Sequence, residues 1–296
     1  MVIKMSITRF LLTGDMHGDF SRFKTYDKDI QKDTNTAVII LGDAALNWTL
    51  TEQDNLMKNY LAKHYNFRIY CVRGNHEARP QDVPGMKLIY DEDVDGEVYM
   101  QDTWPNIRYF KDWGLYTIDG LRVAVIGGAY SVDKFYRLDR AKALGKDIET
   151  DWTGWFANEQ LTDEEMLQCT IDLTNQEVDM VLTHTCPICW EPTDLFLRGI
   201  DQNKVDKSME LFLEEIGKCF GWKIWCFGHY HVDRIERPGV EQFFKDTEHL
   251  KAVWQRWEEY WRTDGESLEW YLIKSPMFYT DDEILNWREE YWHAED

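Results

Sequence analysis

Positive charge is in short supply in this sequence: 33 Lys and Arg stand against 54 Asp and Glu, for a formal net charge of -21. Nonspecific binding to duplex nucleic acid or to an anionic membrane depends on Lys and Arg neutralising phosphates, so neither partner is expected. A small phosphate ester is not excluded, because bound divalent cations would reverse the local field. Long apolar runs are also missing. Nothing approaches the length of a membrane span, and Ile7 to Leu12 is too short for a secretory signal and runs straight into a polar motif. The six cysteines are scattered, with Cys71 and Cys226 inside apolar runs. That pattern suits buried thiols in a reducing compartment and a cytoplasmic protein. Cys186 and Cys189 make a CxxC, but no second Cys pair completes a tetrahedral zinc site. No Ser or Cys motif offers itself as a covalent nucleophile.

The chain of 296 residues is long enough for one large domain, or for a catalytic domain with an appendage. Hydrophobic residues at 44% and charged residues at 29% fit an ordinary soluble globular protein, while the aromatic share of 15%, with 14 Trp, is high. Its organising pattern is a series of apolar strands, each ending in a glycine and then in polar residues. Ile7 to Thr13 runs into Gly14-Asp15-Met16-His17-Gly18-Asp19, and Ala37 to Leu41 into Gly42-Asp43. Helical spacing over Leu56 to Tyr65 leads to Phe67 to Val72 and then Arg73-Gly74-Asn75-His76-Glu77. Strand, helix, strand, helix, strand implies parallel pairing with right-handed crossovers, so the carboxyl-end loops face one crevice.

In the middle of the chain, Gln81 to Pro105 is acidic with few strand signals. Ile107 to Phe110, Gly114 to Ile118 and Leu121 to Ile126 alternate like an antiparallel meander that ends in Gly127-Gly128-Ala129-Tyr130-Ser131. Lys134, Arg137 and Arg140 form the densest basic cluster; they would either meet a substrate anion or lie solvated on a helix face. Trp152, Trp155 and Phe156 would be a lid or stacking platform, or would pack a loop onto the core. Leu161 to Leu173 reads as a helix, with Thr162 as N-cap and Glu165 at the capping-box position. Val178 to Thr183 is a further crevice strand ending in His184, and Lys223 to Phe227 another ending in Gly228-His229-Tyr230-His231.

Five of the eight histidines sit in these strand-end motifs; His64, His249 and His293 do not. Residues two apart in an extended segment point the same way, so Asp15 with His17, or His229 with His231, can grip one cation or two adjacent ones. The donors Asp15, His17, Asp43, Asn75, His184, His229 and His231 are all nitrogen or oxygen, which suits manganese first, or iron or zinc. Seven exceed the needs of one cation with an open position. Two cations sharing Asp43 as a bridge fit better.

This ordered set of motifs resembles the calcineurin-like metallophosphoesterases over about residues 8 to 232. The resemblance implies an α/β fold, a four-layer β-sandwich flanked by helices, with a binuclear centre at the carboxyl ends of the strands. It also implies that Asp15, His17 and His231 hold one divalent metal and Asn75, His184 and His229 the other, with Asp43 between them. His76 would be the non-ligating histidine beside the scissile ester. The Ser/Thr protein phosphatase branch places an Asp-Arg pair after the second motif, whereas here Gly42-Asp43 continues Ala44-Ala45-Leu46-Asn47-Trp48 without arginine. Bacterial-type phosphoesterases acting on small or nucleotide esters are the nearer comparison. Arg73 precedes the third motif, but the missing phosphate-binding role does not pass to it. Two cations about 3.5–4 Å apart would generate a bridging hydroxide for attack on phosphorus, as phosphatase or phosphodiesterase. His76 would protonate the leaving group, and Asp19 or Glu77 would orient an imidazole.

From Phe243 the sequence turns rich in Trp and acid. Trp254, Trp257, Tyr260 and Trp261 fall at helical spacing, as do Trp287, Tyr291 and Trp292, with Pro276 dividing the segment. The expectation is a phosphoesterase domain over 1–242 and a helical extension over 243–296 that packs on it. The alternative is a non-catalytic metal-binding scaffold whose aromatic segment holds a partner protein.

Overall fold

The computed structural model describes residues 7–148 and 151–263. The chain runs β1 (Arg9–Thr13), α1 (Lys28–Lys32), β2 (Thr36–Ile40), α2 (Glu52–His64) and β3 (Arg68–Cys71), then β4 (Met86–Asp91), β5 (Gly96–Gln101), β6 (Ile107–Phe110), β7 (Trp113–Ile118) and β8 (Leu121–Ile126). It continues through α3 (Lys134–Ala143), α4 (Asp163–Leu173), β9 (Met180–Thr183), α5 (Ser208–Ile216) and β10 (Ile224–Phe227). β11 (Arg234–Arg237), β12 (Val240–Gln242), β13 (Thr247–His249) and α6 (Leu250–Thr263) complete the described chain. One sheet has the order β13-β1-β2-β3-β6-β5-β4 and the other β11-β12-β10-β9-β8-β7.

Central strands buried on both faces read as continuous apolar runs, and their alternation explains the layering. Phe10 and Leu12, Ala37 and Ile39, Val123 and Val125, and Met180 and Leu182 turn inward to one apolar layer between the sheets. The intervening Leu11, Val38 and Ile40 face the other way and meet Leu61 of α2 and Phe23. On the second sheet Ala124, Ile126, Val181 and Trp225 meet Met166 and Cys169 of α4 and Phe212 and Leu213 of α5. The result is helices, sheet, sheet, helices: the four-layer α/β sandwich that the sequence implied. The capping box on α4 forms as expected, with Thr162 accepting from the Glu165 amide and Glu165 from the Thr162 amide.

Two expectations are corrected. Gln81 to Pro105 contains a hairpin, β4 against β5 with Met86 opposite Gln101 and Asp91 opposite Gly96. It is an edge hairpin whose acidic turn, Asp91-Glu92-Asp93-Val94-Asp95, gives the segment the composition of a loop. The three strands after it are not one meander. β6 pairs parallel with β3 in the first sheet, while β7 and β8 form a hairpin in the second; the chain changes sheets at Lys111-Asp112, where alternation gives no sign of it.

The residues after 242 open with a strand. β13 pairs antiparallel with β1, and α6 then buries Leu250, Val253 and Trp257 in the layer between the sheets, with Trp254, Tyr260 and Trp261 packed against it. The aromatic face of α6 is therefore turned onto the protein's own core. Pro276, Trp287, Tyr291 and Trp292 lie outside the described residues. Among the described residues, no helix is long and apolar enough to cross a membrane.

Candidate metal centre

β1, β2 and β3 are parallel neighbours, and so are β8, β9 and β10. Their carboxyl ends consequently present loops to one place, where sheets of this type hold their sites. The loops are tied together by backbone bonds: His17 N donates to Asp43 O at 2.8 Å and Gly128 N to Arg73 O at 2.8 Å. His184 O accepts from Gly228 N at 2.9 Å.

Two buried carboxylates lie at the centre, and each is used in the same way. Asp15 Oδ1 accepts from His229 N at 2.9 Å, and Asp43 Oδ1 from His76 N at 2.8 Å. This leaves both Oδ2 atoms facing imidazoles. Asp15 Oδ2 is 3.1 Å from His231 Nε2 and 3.6 Å from His17 Nε2. Asp43 Oδ2 lies 3.5 Å from His184 Nε2 and 3.8 Å from Nε2 of both His17 and His76. The Nε2 atoms of His17 and His231 are 2.8 Å apart. His184 Nδ1 faces the Leu41 carbonyl at 2.8 Å, so Nδ1 carries a proton and Nε2 is turned inward, 2.9 Å from Asn75 Oδ1. The His229 ring stands 4.9 Å from that of His184. The structure thus brings Asp15, His17, Asp43, Asn75, His76, His184, His229 and His231 together. Three overlapping groups, Asp15-His17-His231, His17-Asp43-His76 and Asp15-Asp43-His184, each have ligating atoms close enough to share an ion.

The electrostatics hold both carboxyls ionised. Burial opposes the charge on Asp15, but His184, His17 and His231 outweigh it and keep the carboxyl well below its ordinary range. The same contest lowers Asp43, through His184 and His76. His184, despite its burial, is pushed up to about 9 by Asp43 and Asp15. His229 is driven down to about 3, by burial first and by the charge on His184 second. A carboxylate must be deprotonated to ligate a cation, and the direction of both shifts is the one that requirement needs.

The backbone carries strain at the same residues. His17, Asp43, His229 and His231 adopt positive φ of 46°, 50°, 72° and 57°, a conformation that costs about 1 kcal/mol or more at a non-glycine residue. Close approach explains two of the motif glycines. A Cβ on Gly42, at φ +95°, would overlap the His184 ring, and one on Gly74 would overlap the Asp43 carboxylate. Strained residues, glycines against donor groups, and the buried Asp15 Oδ2 with no well-directed hydrogen bond all fit a site built for cations. An all nitrogen-and-oxygen donor set suits divalent ions.

Several residues that the sequence did not mark support the centre. Asn75 Nδ2 donates to Ser131 Oγ at 2.8 Å, and Ser131 in turn donates its hydroxyl and amide to Glu159 at 2.6 and 2.9 Å. That chain fixes which way the Asn75 amide faces. Ser131 closes the glycine-rich loop after β8, a visible signal; Glu159 lies far along the chain and carried none. Arg22 donates to Asp15 O at 2.6 Å and to Thr13 Oγ1 at 2.8 Å, and Phe244 stacks on His231 with ring centroids 4.9 Å apart.

Arg73 is buried away from the crevice, bonded to Asp112 and donating to Glu159 O at 2.6 Å, so it is a structural cation and not a phosphate clamp. Asp19 caps Ser21 N at 2.9 Å, and Glu77 accepts from Gly74 N at 3.0 Å; neither orients an imidazole. Lys134, Arg137 and Arg140 lie on α3. Lys134 sits over the Trp155 ring and Arg137 over Trp48. Cys186 is buried, Cys189 exposed, and both are free thiols.

The family model of the calcineurin-like phosphoesterases matches residues 8–233. This chain belongs to that family. Its matched region spans every donor loop described above and ends just beyond His231. Calcineurin-like phosphoesterases are hydrolases that usually bind divalent metals, so membership implies metal-dependent hydrolysis of a phosphate ester and agrees with the donor groups found here. No curated protein matches the chain.

Proposed function

We propose that this chain hydrolyses a small phosphate ester, monoester or diester, at a centre of two divalent cations, manganese being the first choice. The observation that carries the reading is Asp43 Oδ2, which faces three imidazoles at 3.5–3.8 Å and so is placed to be shared. Asp15, His17 and His231 would hold one ion, Asn75, His184 and His229 the other, and Asp43 both. When bound, such ions supply Lewis acidity toward the phosphoryl oxygens and a nucleophile from water at neutral pH. The protein's own part is to fix the donors through strained loops and to keep both carboxylates ionised. His76, anchored by its amide on Asp43, would give a proton to the leaving oxygen. The absence of an arginine after Gly42-Asp43 favours a small ester over a phosphoprotein.

The test is turnover of p-nitrophenyl phosphate and of bis-p-nitrophenyl phosphate with Mn²⁺, Fe²⁺ or Zn²⁺. Hydrolysis of at least one is expected, and silence on both with all three metals would sink the reading. His76→Ala should slow turnover by about 10²-fold or more at unchanged metal content; an unaltered rate would remove His76 from that role.

Glu159 gives a second test. If it holds the Asn75 amide through Ser131, Glu159→Ala should weaken metal binding by about 10- to 100-fold, with Glu159→Gln intermediate. Metal titration followed by calorimetry reads this directly, and wild-type affinity in Glu159→Ala would show that the chain of bonds is incidental.

A further inference from the structure

Beyond His76 stands a group of aromatic rings that the centre does not use. Trp48, on the loop after β2, meets the His76 ring edge-on at 4.9 Å. Trp152 lies 5.1 Å from Trp48, and Phe156 lies 6.1 Å from Trp48 and 4.9 Å from Trp152. All three are partly exposed. None of them joins any of the three apolar layers of the fold, so anchoring a loop to the core does not account for them.

Arg137 lies over the Trp48 ring, its Cζ 4.9 Å from the centroid. Its guanidinium is held on two sides, by Asp133 at 2.7 Å and by the Gly154 carbonyl at 2.9 Å. Arg137 is thus paired with Asp133 and its plane lies on an indole, an arrangement that steadies the ring.

We propose that Trp48, Trp152 and Phe156 form a subsite for a planar aromatic substituent of the substrate, a nucleobase or an aryl ring, stacked beside His76. The proposal rests on the phosphoesterase reading above and adds the substrate class. Stacking selects by π face and tolerates different rings, which is why both sources share this chemistry.

The experiment measures binding of adenosine 5′-monophosphate, phenyl phosphate and ribose 5-phosphate to the full chain with Mn²⁺ under conditions of no turnover. At least one aromatic ester should bind roughly 5- to 100-fold tighter than ribose 5-phosphate. Preference for both points to any aryl group, and preference for the nucleotide alone to a nucleobase. The ratio should fall toward one in Trp48→Ala and in Trp152→Ala and be partly restored in Trp48→Phe. Because each ratio is internal to one protein, altered overall activity does not obscure it. If ribose 5-phosphate binds wild-type protein as tightly as both aromatic esters, the subsite is wrong, whatever the turnover. Preferential binding without hydrolysis of any ester would instead leave the subsite standing and remove the phosphoesterase reading.

Discussion

Asp43→Asn is expected to lower kcat/KM on bis-p-nitrophenyl phosphate by about three orders of magnitude, equivalent to about 4 kcal/mol of transition-state stabilisation. The substitution keeps the shape of the side chain. Its remaining oxygen can still accept from His76 N, the bond that Asp43 Oδ1 makes at 2.8 Å. What changes is the other arm, where an NH₂ donor replaces the oxygen that faces His17, His76 and His184. A donor at that position cannot coordinate a cation, and the site loses one of its two buried negative charges. The loss should therefore appear both in kinetics and in the metal content of the purified protein, with the fold retained by circular dichroism. A variant with full metal content and near wild-type turnover would show that Asp43 is not shared between ions.

Arg73→Met is expected to cost about 3–5 kcal/mol of stability, the usual consequence of removing one partner from a buried ion pair. Arg73 is buried, pairs with Asp112 and donates to the Glu159 carbonyl. Asp112 keeps a second cation, Arg79, at 3.1 Å, which limits the damage to the lower part of that range. Urea denaturation measures it. At a temperature where the variant stays folded, its kcat/KM per folded molecule should remain within about tenfold of wild type, because the guanidinium does not face the crevice. A phosphate clamp would behave in the opposite way, with little loss of stability and a large rise in KM. The two outcomes separate a structural arginine from a substrate-binding one at the same position in the motif.

Much of the fold was legible because its central strands are buried on both sides. Uniform apolar runs such as Thr36 to Ile40 or Ile224 to Phe227 can only be interior strands, and each ends where glycine lets backbone or donor groups crowd together. The candidate donors were legible for the same reason: they follow those strands directly. Sequence spacing fails where contacts are remote or the composition is ambiguous. The β4–β5 hairpin turns through the acidic run Asp91-Glu92-Asp93-Val94-Asp95, so its flanking apolar residues do not stand out as two strands. The crossing from β6 to β7 changes the sheet without changing the alternation. Glu159 reaches the centre only through Ser131, and Trp48 meets Trp152 across a large span of sequence; neither contact leaves a local periodicity. Arg73 was rightly denied the phosphate, but its actual partners, Asp112 and the Glu159 carbonyl, lie too far along the chain for spacing to reveal.

Asp15 accepts from the amide of His229, 214 positions further along the chain, and this carries a consequence for how the protein is made. Synthesis proceeds from the amino end, so Asp15 and Asp43 leave the ribosome well before His184, His229 and His231. Until those histidines arrive, the two carboxylates have lost the counter-charges that justify placing them side by side, and the first loops have no reason to adopt their strained form. The centre is consequently a late product of biogenesis, closed by long-range pairing that folds slowly. A message broken or a chain cut anywhere before His231 should yield no feebly active fragment, only a polypeptide with half a set of donors and nothing to hold them together.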